Sequence, residues 1–231
     1  MWINWNDLPE NMKNEQVRPY YEKLKQKRGS LITKRLFDIL VSLVMLILLS
    51  WLFLILAIAI KVDSHGPVFY RQVRVTTGNR NFRIFKFRTM VNNADKIGSL
   101  VTTGNDSRIT RVGAKIRKCR LDEIPQLLNI LKGEMSFVGT RPEVRKYVDR
   151  YTDEMMATLL MPAGVTSLAS ISFKDEDELI DEYTEKGMSV DDAYMEKVLP
   201  EKMKYNLEYM NQFEAFRDIK LMIQTFVSVI K

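Results

Sequence analysis

Apolar residues are concentrated in one stretch of this chain. From Leu36 to Ile60 only Asp38 is charged, and Ile39–Ile60 carries no ionised group. As a helix this run would be roughly 37 Å long at about 1.5 Å per residue, more than the roughly 30 Å of a bilayer's hydrocarbon core. It lies some 35 residues into the sequence and no small-residue cleavage pattern follows it, so it does not read as a signal peptide. Both flanks are basic: Lys23, Lys25, Lys27, Arg28, Lys34 and Arg35 precede it, and Lys61, Arg71, Arg74 and Arg80 follow. Basic flanks favour the cytoplasmic side, and a straight span must send one of them across. A helix that enters, breaks near Ser50 and Trp51 and returns keeps both inside. That re-entrant hairpin is the expectation, with a straight single-pass helix as the alternative. Ser50 can satisfy a backbone group freed by the break, and a buried Trp51 would need a partner for its N–H. Asp38, one helical turn from Lys34 and Arg35, is expected to pair with them at the membrane interface.

Beyond residue 61 the pattern changes to that of a small folded domain. After the Gly-Pro turn of "DSHGPVFYRQVRV" (63–75), apolar and polar residues alternate as in a strand. "TTGNR" (76–80) is a turn and "NFRIFKFRTM" (81–90) alternates again, which predicts a hairpin. Residues 91–107 read as a polar surface loop. Ile116, Leu121, Ile124, Leu127, Leu128 and Leu131 have helical spacing, "KG" (132–133) stops the helix, and "MSFVG" (135–139) is a short strand. The C-terminal stretch from Lys204 is apolar and basic at helical spacing, which suits either a core helix or one lying on a membrane. The expected fold is α+β: a basic segment (1–33), a re-entrant membrane helix (34–61), and a catalytic domain (62–231) with a short hairpin and several helices, some of them on the membrane interface.

Composition removes several kinds of chemistry. A single cysteine, Cys119, excludes an intrachain disulfide, and a lone histidine, His65, argues against Ser-His or zinc hydrolysis. Net charge is +6, but residues 172–196 hold ten acidic residues against two lysines, leaving +14 elsewhere. The acidic stretch reads as solvated helix and loop facing away from the membrane. No aromatic-basic interleaving marks a nucleic-acid surface, so no nucleic-acid partner is expected.

Candidate chemistry gathers at "RKCRLDEIPQ" (117–126). Six cations from Arg108 to Arg120 crowd the adjacent carboxylates Asp122 and Glu123, and Pro125 suits the first turn of a helix that would start there. A helix start among cations attracts phosphate. From these residues alone, a simple helix cap with ion pairs, worth about 0.3–1 kcal/mol, explains the pattern as well.

"KRLFDILVSLVMLILLSW", "GPVFYRQVRV", "FKFRTM" and "LDEIPQLLNILKGEMSFVGTRPE" together resemble the bacterial sugar transferases, the monotopic phosphoglycosyl transferases, in order and spacing from about Thr33 to Glu143. The resemblance implies transfer of a sugar phosphate from a UDP-sugar to undecaprenyl phosphate, with release of UMP, on the cytoplasmic face of a bacterial inner membrane. It implies Asp122 as nucleophile through a covalent sugar-phosphoryl aspartate and Glu123 as ligand of Mg2+. Arg117 and Arg141 would bind phosphate, Pro142 would shape the nucleotide pocket, and Lys86 and Arg88 would form a basic strand beneath the dyad. Three departures stand out. Trp51 replaces the helix-breaking proline, Thr140 replaces the first proline of the family's Gly-Pro-Arg-Pro motif, and "MPAGVTSLAS" (161–170) replaces an Arg-Pro-Gly-Ile-Thr-Gly stretch. The first puts the sharpness of the turn in doubt, the second the rigidity of Arg141. A membrane-anchored basic module that binds anionic lipid without chemistry is the competing expectation; it needs no Asp-Glu pair.

Overall fold

The computed structural model describes residues 2–94, 106–173 and 176–230. Helix α1 (Arg18–Gln26) leads into α2 (Arg28–Leu48), and α3 (Ser50–Asp63) follows after a break at Leu49. The hairpin strands are β1 (Phe69–Thr76) and β2 (Arg80–Phe87). Then come α4 (Arg111–Lys118), a 3-10 helix (Leu121–Gln126), α5 (Leu127–Lys132), β3 (Met135–Val138), α6 (Arg145–Val148) and β4 (Ala163–Thr166). Five helices close the chain: α7 (Leu168–Ser172), α8 (Glu176–Glu185), α9 (Val190–Ala193), α10 (Leu199–Asn211) and α11 (Ala215–Ile230).

No single described helix is long and apolar enough to cross a membrane, but α2 and α3 pass the same test as a pair bent by 62°. The bend falls at the expected place without a proline. Ser50 Oγ donates to the carbonyl of Ile47 (2.8 Å), satisfying an acceptor at the end of α2. Trp51 is 62% exposed on the outer surface of the bend. Along the pair, Leu36, Leu40, Leu43, Ile47, Leu54 and Ile58 all face outward.

Both ends of the pair are fastened to one domain. Lys34, Arg35 and Asp38, expected to pair with one another, each bond the folded domain. Lys34 is buried, paired with Asp218 of α11, and donates to the carbonyl of Val138 (2.7 Å). Arg35 donates to the carbonyls of Ile130 and Leu131 at the end of α5 (2.5 and 2.8 Å). Asp38 is 1% exposed and accepts from the Phe137 amide (3.2 Å). These side chains bond backbone groups at the end of α5 and along β3; sequence spacing on α2 could not show that. At the far end, Asp63 accepts from the Val112 amide (2.9 Å), and Leu56 and Ile60 pack with Phe87 and Ile116.

β1 and β2 pair antiparallel from Phe69↔Phe87 to Thr76↔Arg80, turning at Gly78 (φ 67°) and Asn79 (φ 56°). The register puts Tyr70, Gln72, Arg74 and Lys86 on one face. A second sheet was not anticipated: β3 pairs in parallel with β4, and the ladder extends to Thr140↔Ala163. Its strands pass so closely that a Cβ on Gly164 would sit 2.2 Å from the Gly139 amide nitrogen. The "KG" stop holds, with Gly133 at φ 78°. Residues 2–27 form more than a basic lead-in: Leu8, Met12, Val17, Tyr21 and Leu24 pack in a core with Leu159, Leu160 and Met210. Most of the loop expected over 91–107 lies outside the described residues. Within 172–196, α8 is largely exposed, whereas Asp191 is tied to Lys146 and Tyr147 (both 2.6 Å). Helix α11 packs on the core through Asp218 and Leu221, while Phe216, Ile219, Ile223 and Phe226 form an exposed apolar stripe.

Candidate active site

The dyad is presented by an abrupt reversal of the chain. After α4, Arg120 adopts the left-handed conformation (φ 56°), uncommon for a residue with a side chain, and the 3-10 helix Leu121–Gln126 begins immediately. Asp122 and Glu123 stand in its first turn. Pro125 lies inside this short helix rather than opening α5, which starts two residues later. The carboxylates therefore do head a helix, but a tighter one than expected.

Lys86 reaches up from β2, its Nζ 2.8 Å from Glu123 Oε1 and 3.9 Å from Asp122 Oδ2. Arg141 donates to the same Glu123 Oε1 at 3.2 Å. The two neighbouring acids are driven apart in character. Burial alone pushes the Glu123 carboxyl up, but Lys86 and Arg141 outweigh it and hold the group well below the usual range. Burial raises the Asp122 carboxyl, Lys86 pulls it back, and adjacent Glu123 adds to the rise. Arg117 is near enough to favour the ionised form of Asp122, though no hydrogen bond joins them. Glu123 is thus a locked anion, and Asp122 a carboxylate less satisfied where it sits.

Of the expected site residues, Lys86, Arg117, Asp122, Glu123 and Arg141 come together. Arg88 does not. It is 5% exposed, and its guanidinium donates to the carbonyls of His65 (2.5 Å) and Ser64 (2.7 Å), closing the loop after α3. The alternation that puts Lys86 on the site face would put Arg88 there too, but β2 ends at Phe87. Pro142 is buried, and its carbonyl accepts from Arg74 Nη1 (3.1 Å). Arg74 also grips Gln72 Oε1 (3.0 and 2.7 Å), so two residues on the face of Lys86 brace the Arg141–Pro142 turn. Sequence reasoning passed over Gln72 and Arg74, although their i, i+2 spacing from Tyr70 was the available signal. Thr140 does not loosen Arg141 as feared: its carbonyl accepts from Gly164 (2.8 Å), which makes it part of the ladder.

Asn129 was also missed. It is fully buried on α5, accepts from the Phe85 amide (2.8 Å), and donates to the carbonyls of Arg83 (3.0 Å) and to Glu134 Oε2 (2.7 Å). Its amide serves the outer edge of β2 as a third strand would, holding Lys86 against the dyad.

Among the described residues no group of three or more His, Cys, Asp or Glu side chains could form a metal cage. The donor set present is two adjacent carboxylates, with the Lys86 and Arg141 contacts both on Glu123 Oε1. That set fits Mg2+, which takes one or two carboxylates and draws its other ligands from phosphate and water, and fits neither zinc nor calcium.

Carboxylates of opposed character over a lysine and beside arginines, on a domain carrying a bent apolar helix pair, define a centre suited to phosphoryl transfer beside an apolar surface. The chain belongs to the bacterial sugar transferase family, whose model matches residues 29–231. It is 35% identical over 200 residues to UDP-N-acetylgalactosamine-undecaprenyl-phosphate N-acetylgalactosaminephosphotransferase of Aeromonas hydrophila, covering 85% of this chain and 43% of that one. It is 34% identical over 202 residues to UDP-glucose:undecaprenyl-phosphate glucose-1-phosphate transferase of Klebsiella pneumoniae, covering 85% and 40%. With exopolysaccharide production protein ExoY of Rhizobium meliloti it shares 32% identity over 213 residues, covering 86% and 85%. The chain thus spans about two fifths of the length of the first two relatives.

Proposed function

We propose that this protein transfers a sugar 1-phosphate from a UDP-sugar to undecaprenyl phosphate, releasing UMP, as the first step of a surface glycan. The carrying observation is the pairing of a locked Glu123 with a less satisfied Asp122 in a chain of this family. Asp122 Oδ attacks the β-phosphorus of the donor, the bond to the α–β bridging oxygen breaks, and UMP leaves with that oxygen. A phosphate oxygen of the acceptor then attacks the aspartyl phosphorus, and the Asp122 carboxylate is restored. Both nucleophiles are already anions, so neither half-reaction needs a general base.

Glu123 would hold Mg2+ together with phosphate oxygens and water, and the ion would supply neutralisation of charge developing on the diphosphate. Lys86 fixes Glu123. Arg141 and Arg117 bind phosphate oxygens, for which a planar guanidinium is suited. Pro142 sets the direction of Arg141.

The helix pair is read as re-entrant, with the catalytic domain on the cytoplasmic face of the inner membrane and α11 lying in the interface. Its support is that Arg35 at one end and Asp63 at the other dock on the same domain, α5 and α4 being joined through the dyad helix. A span would set them on opposite faces. A lipid-binding module would need the basic surface but not the dyad, so the catalytic reading is preferred.

The test is UMP release from a panel of UDP-sugars with undecaprenyl phosphate and Mg2+, together with labelling from a donor carrying radioactive β-phosphate. Wild type should label and turn over, and Asp122→Asn should do neither. A phosphoprotein formed by Asp122→Asn would refute the nucleophile assignment, and absence of UMP with every donor would refute the activity.

A further inference from the structure

Two residues along the chain from Arg141 stands the first member of a buried ionic group that the transfer chemistry does not use. Glu143 is 7% exposed, Tyr194 4% and Lys202 5%. Tyr194 donates its hydroxyl proton to Glu143 Oε1 at 2.5 Å. Lys202 Nζ donates to the Tyr194 oxygen at 3.1 Å, stands 3.8 Å from Glu143 Oε1, and bonds Glu176 Oε1 at 3.1 Å at the start of α8. The same segment is held from β1: the Glu143 carbonyl accepts from the Val75 amide (3.0 Å) and the Pro142 carbonyl from Arg74 Nη1 (3.1 Å). The side chain of Glu143, two residues beyond Arg141, thus ties the segment that carries this arginine to two residues from the C-terminal helices.

Packed hydrophobic residues generally replace buried ions of this kind at no loss of stability. Stability alone therefore gives no account of why a carboxylate, a phenol and an ammonium are assembled here. Orientation does. The Arg141 guanidinium is held by Glu123, and the backbone that carries it is fixed two residues on, where Tyr194 and Lys202 hold the Glu143 side chain.

We infer that Glu143, Tyr194 and Lys202 are positioning residues that set Arg141 for the donor diphosphate, and that through them α8 and α10 control donor binding. The inference rests on the reading above that Arg141 contacts the diphosphate. It assigns a role to helices that follow the dyad by more than fifty residues.

Tyr194→Phe deletes one oxygen and leaves the ring against Tyr147, 4.7 Å between centroids. We expect it to raise KM for the UDP-sugar about tenfold, the loss of about one charge-assisted hydrogen bond, with KM for undecaprenyl phosphate unchanged. Lys202→Met should act in the same direction. Combined with Arg141→Ala, Tyr194→Phe should add almost nothing, because its effect passes through that arginine. Full additivity in this cycle, or equal rises in both KM values, would overturn the inference. Amide hydrogen exchange gives a readout independent of activity: Tyr194→Phe should speed exchange in residues 139–143 and leave β1–β2 protected. If wild type releases no UMP from any donor, the proposed function fails by itself, and exchange then decides: unchanged protection at 139–143 overturns the coupling. Should Tyr194→Phe not fold, Glu176→Gln at the partly exposed end of the network replaces it, with a smaller effect of the same sign.

Discussion

Asn129→Ala would separate the strand that carries Lys86 from the helix that follows the dyad. The substitution removes three hydrogen bonds, to the Phe85 amide, the Arg83 carbonyl and Glu134. Arg83 keeps a second donor, Arg71 Nη2 at 3.1 Å. The Phe85 amide is left bare at the outer edge of β2, costing about 1–3 kcal/mol, and loss of the charged bond to Glu134 adds about 1.5 kcal/mol. A total near 3 kcal/mol corresponds to a fall in Tm of about 6–12 °C for a chain of this size. Activity should fall further than stability explains. The Lys86–Glu123 contact depends on the placement of β2, and a displacement of about 1 Å at such a centre costs up to about a hundredfold in rate. Asn129→Asp should be no milder, because it keeps the acceptor for Phe85 but sets a second negative charge beside Glu134. The assay is thermal unfolding of purified protein in lipid nanodiscs, paired with UMP release well below the measured Tm. A shift under about 2 °C for both variants, with normal turnover, would refute the account of Asn129 as a substitute strand.

Asp122→Asn should abolish turnover yet raise Tm at neutral pH by about 0.5–2 kcal/mol equivalent, since a site selected for reactivity is commonly not at its stability optimum. Because burial raises the Asp122 pKa in the folded state, ionisation there costs stability; the gain in the variant should be present above the folded pKa and vanish below the unfolded one. Glu123 is shifted the other way, so its contribution persists above its unfolded pKa and is lost only at strong acidity. Lys86→Met should therefore move the acid limb of kcat/KM to higher pH, and an unchanged profile would exclude Lys86 as the group that locks Glu123. For topology, single cysteines at Glu10 and Glu182, both exposed, should resist an impermeant reagent in intact cells in a Cys119→Ser background. Labelling at Glu10 without permeabilisation would establish a straight span.

The parts legible in sequence were those set by neighbours in the chain. The hairpin followed from alternation around "TTGNR", the helix stop from Gly133, and the bend from a hydroxyl between two basic flanks. The dyad's two adjacent acids were visible, but only the family resemblance gave them a role, and the cations that bond Glu123 (Lys86 and Arg141) lie 37 and 18 residues away. What escaped was set by distant partners. Arg88 and Lys86 are two residues apart and looked equivalent, yet the end of β2 turns one toward Ser64 and His65 and leaves the other under Glu123. Lys34 and Asp38 looked like an interface pair until Asp218, on the last helix, and the Phe137 amide claimed them. The parallel pairing of β3 with β4 joins two short apolar stretches, neither of which has a turn signal naming its partner. Asn129 sat inside "LLNILKG" with nothing local to mark it.

On the proposed re-entrant placement, the bend between α2 and α3 also bears on the lipid around it. Fourteen residues of helix measure about 21 Å. If the two arms lean equally, half of the 62° bend inclines each by about 31° to the bilayer plane, and the apex lies only about 11 Å deep. A single leaflet's hydrocarbon is about 15 Å thick. The pair is then a wedge driven into one monolayer, widening that leaflet while the opposite one keeps its area. Such an inclusion relieves lateral stress where the host monolayer is convex and its headgroups are loosely packed. The protein should bind small vesicles more tightly than large ones of the same composition, and so distinguish membranes by shape.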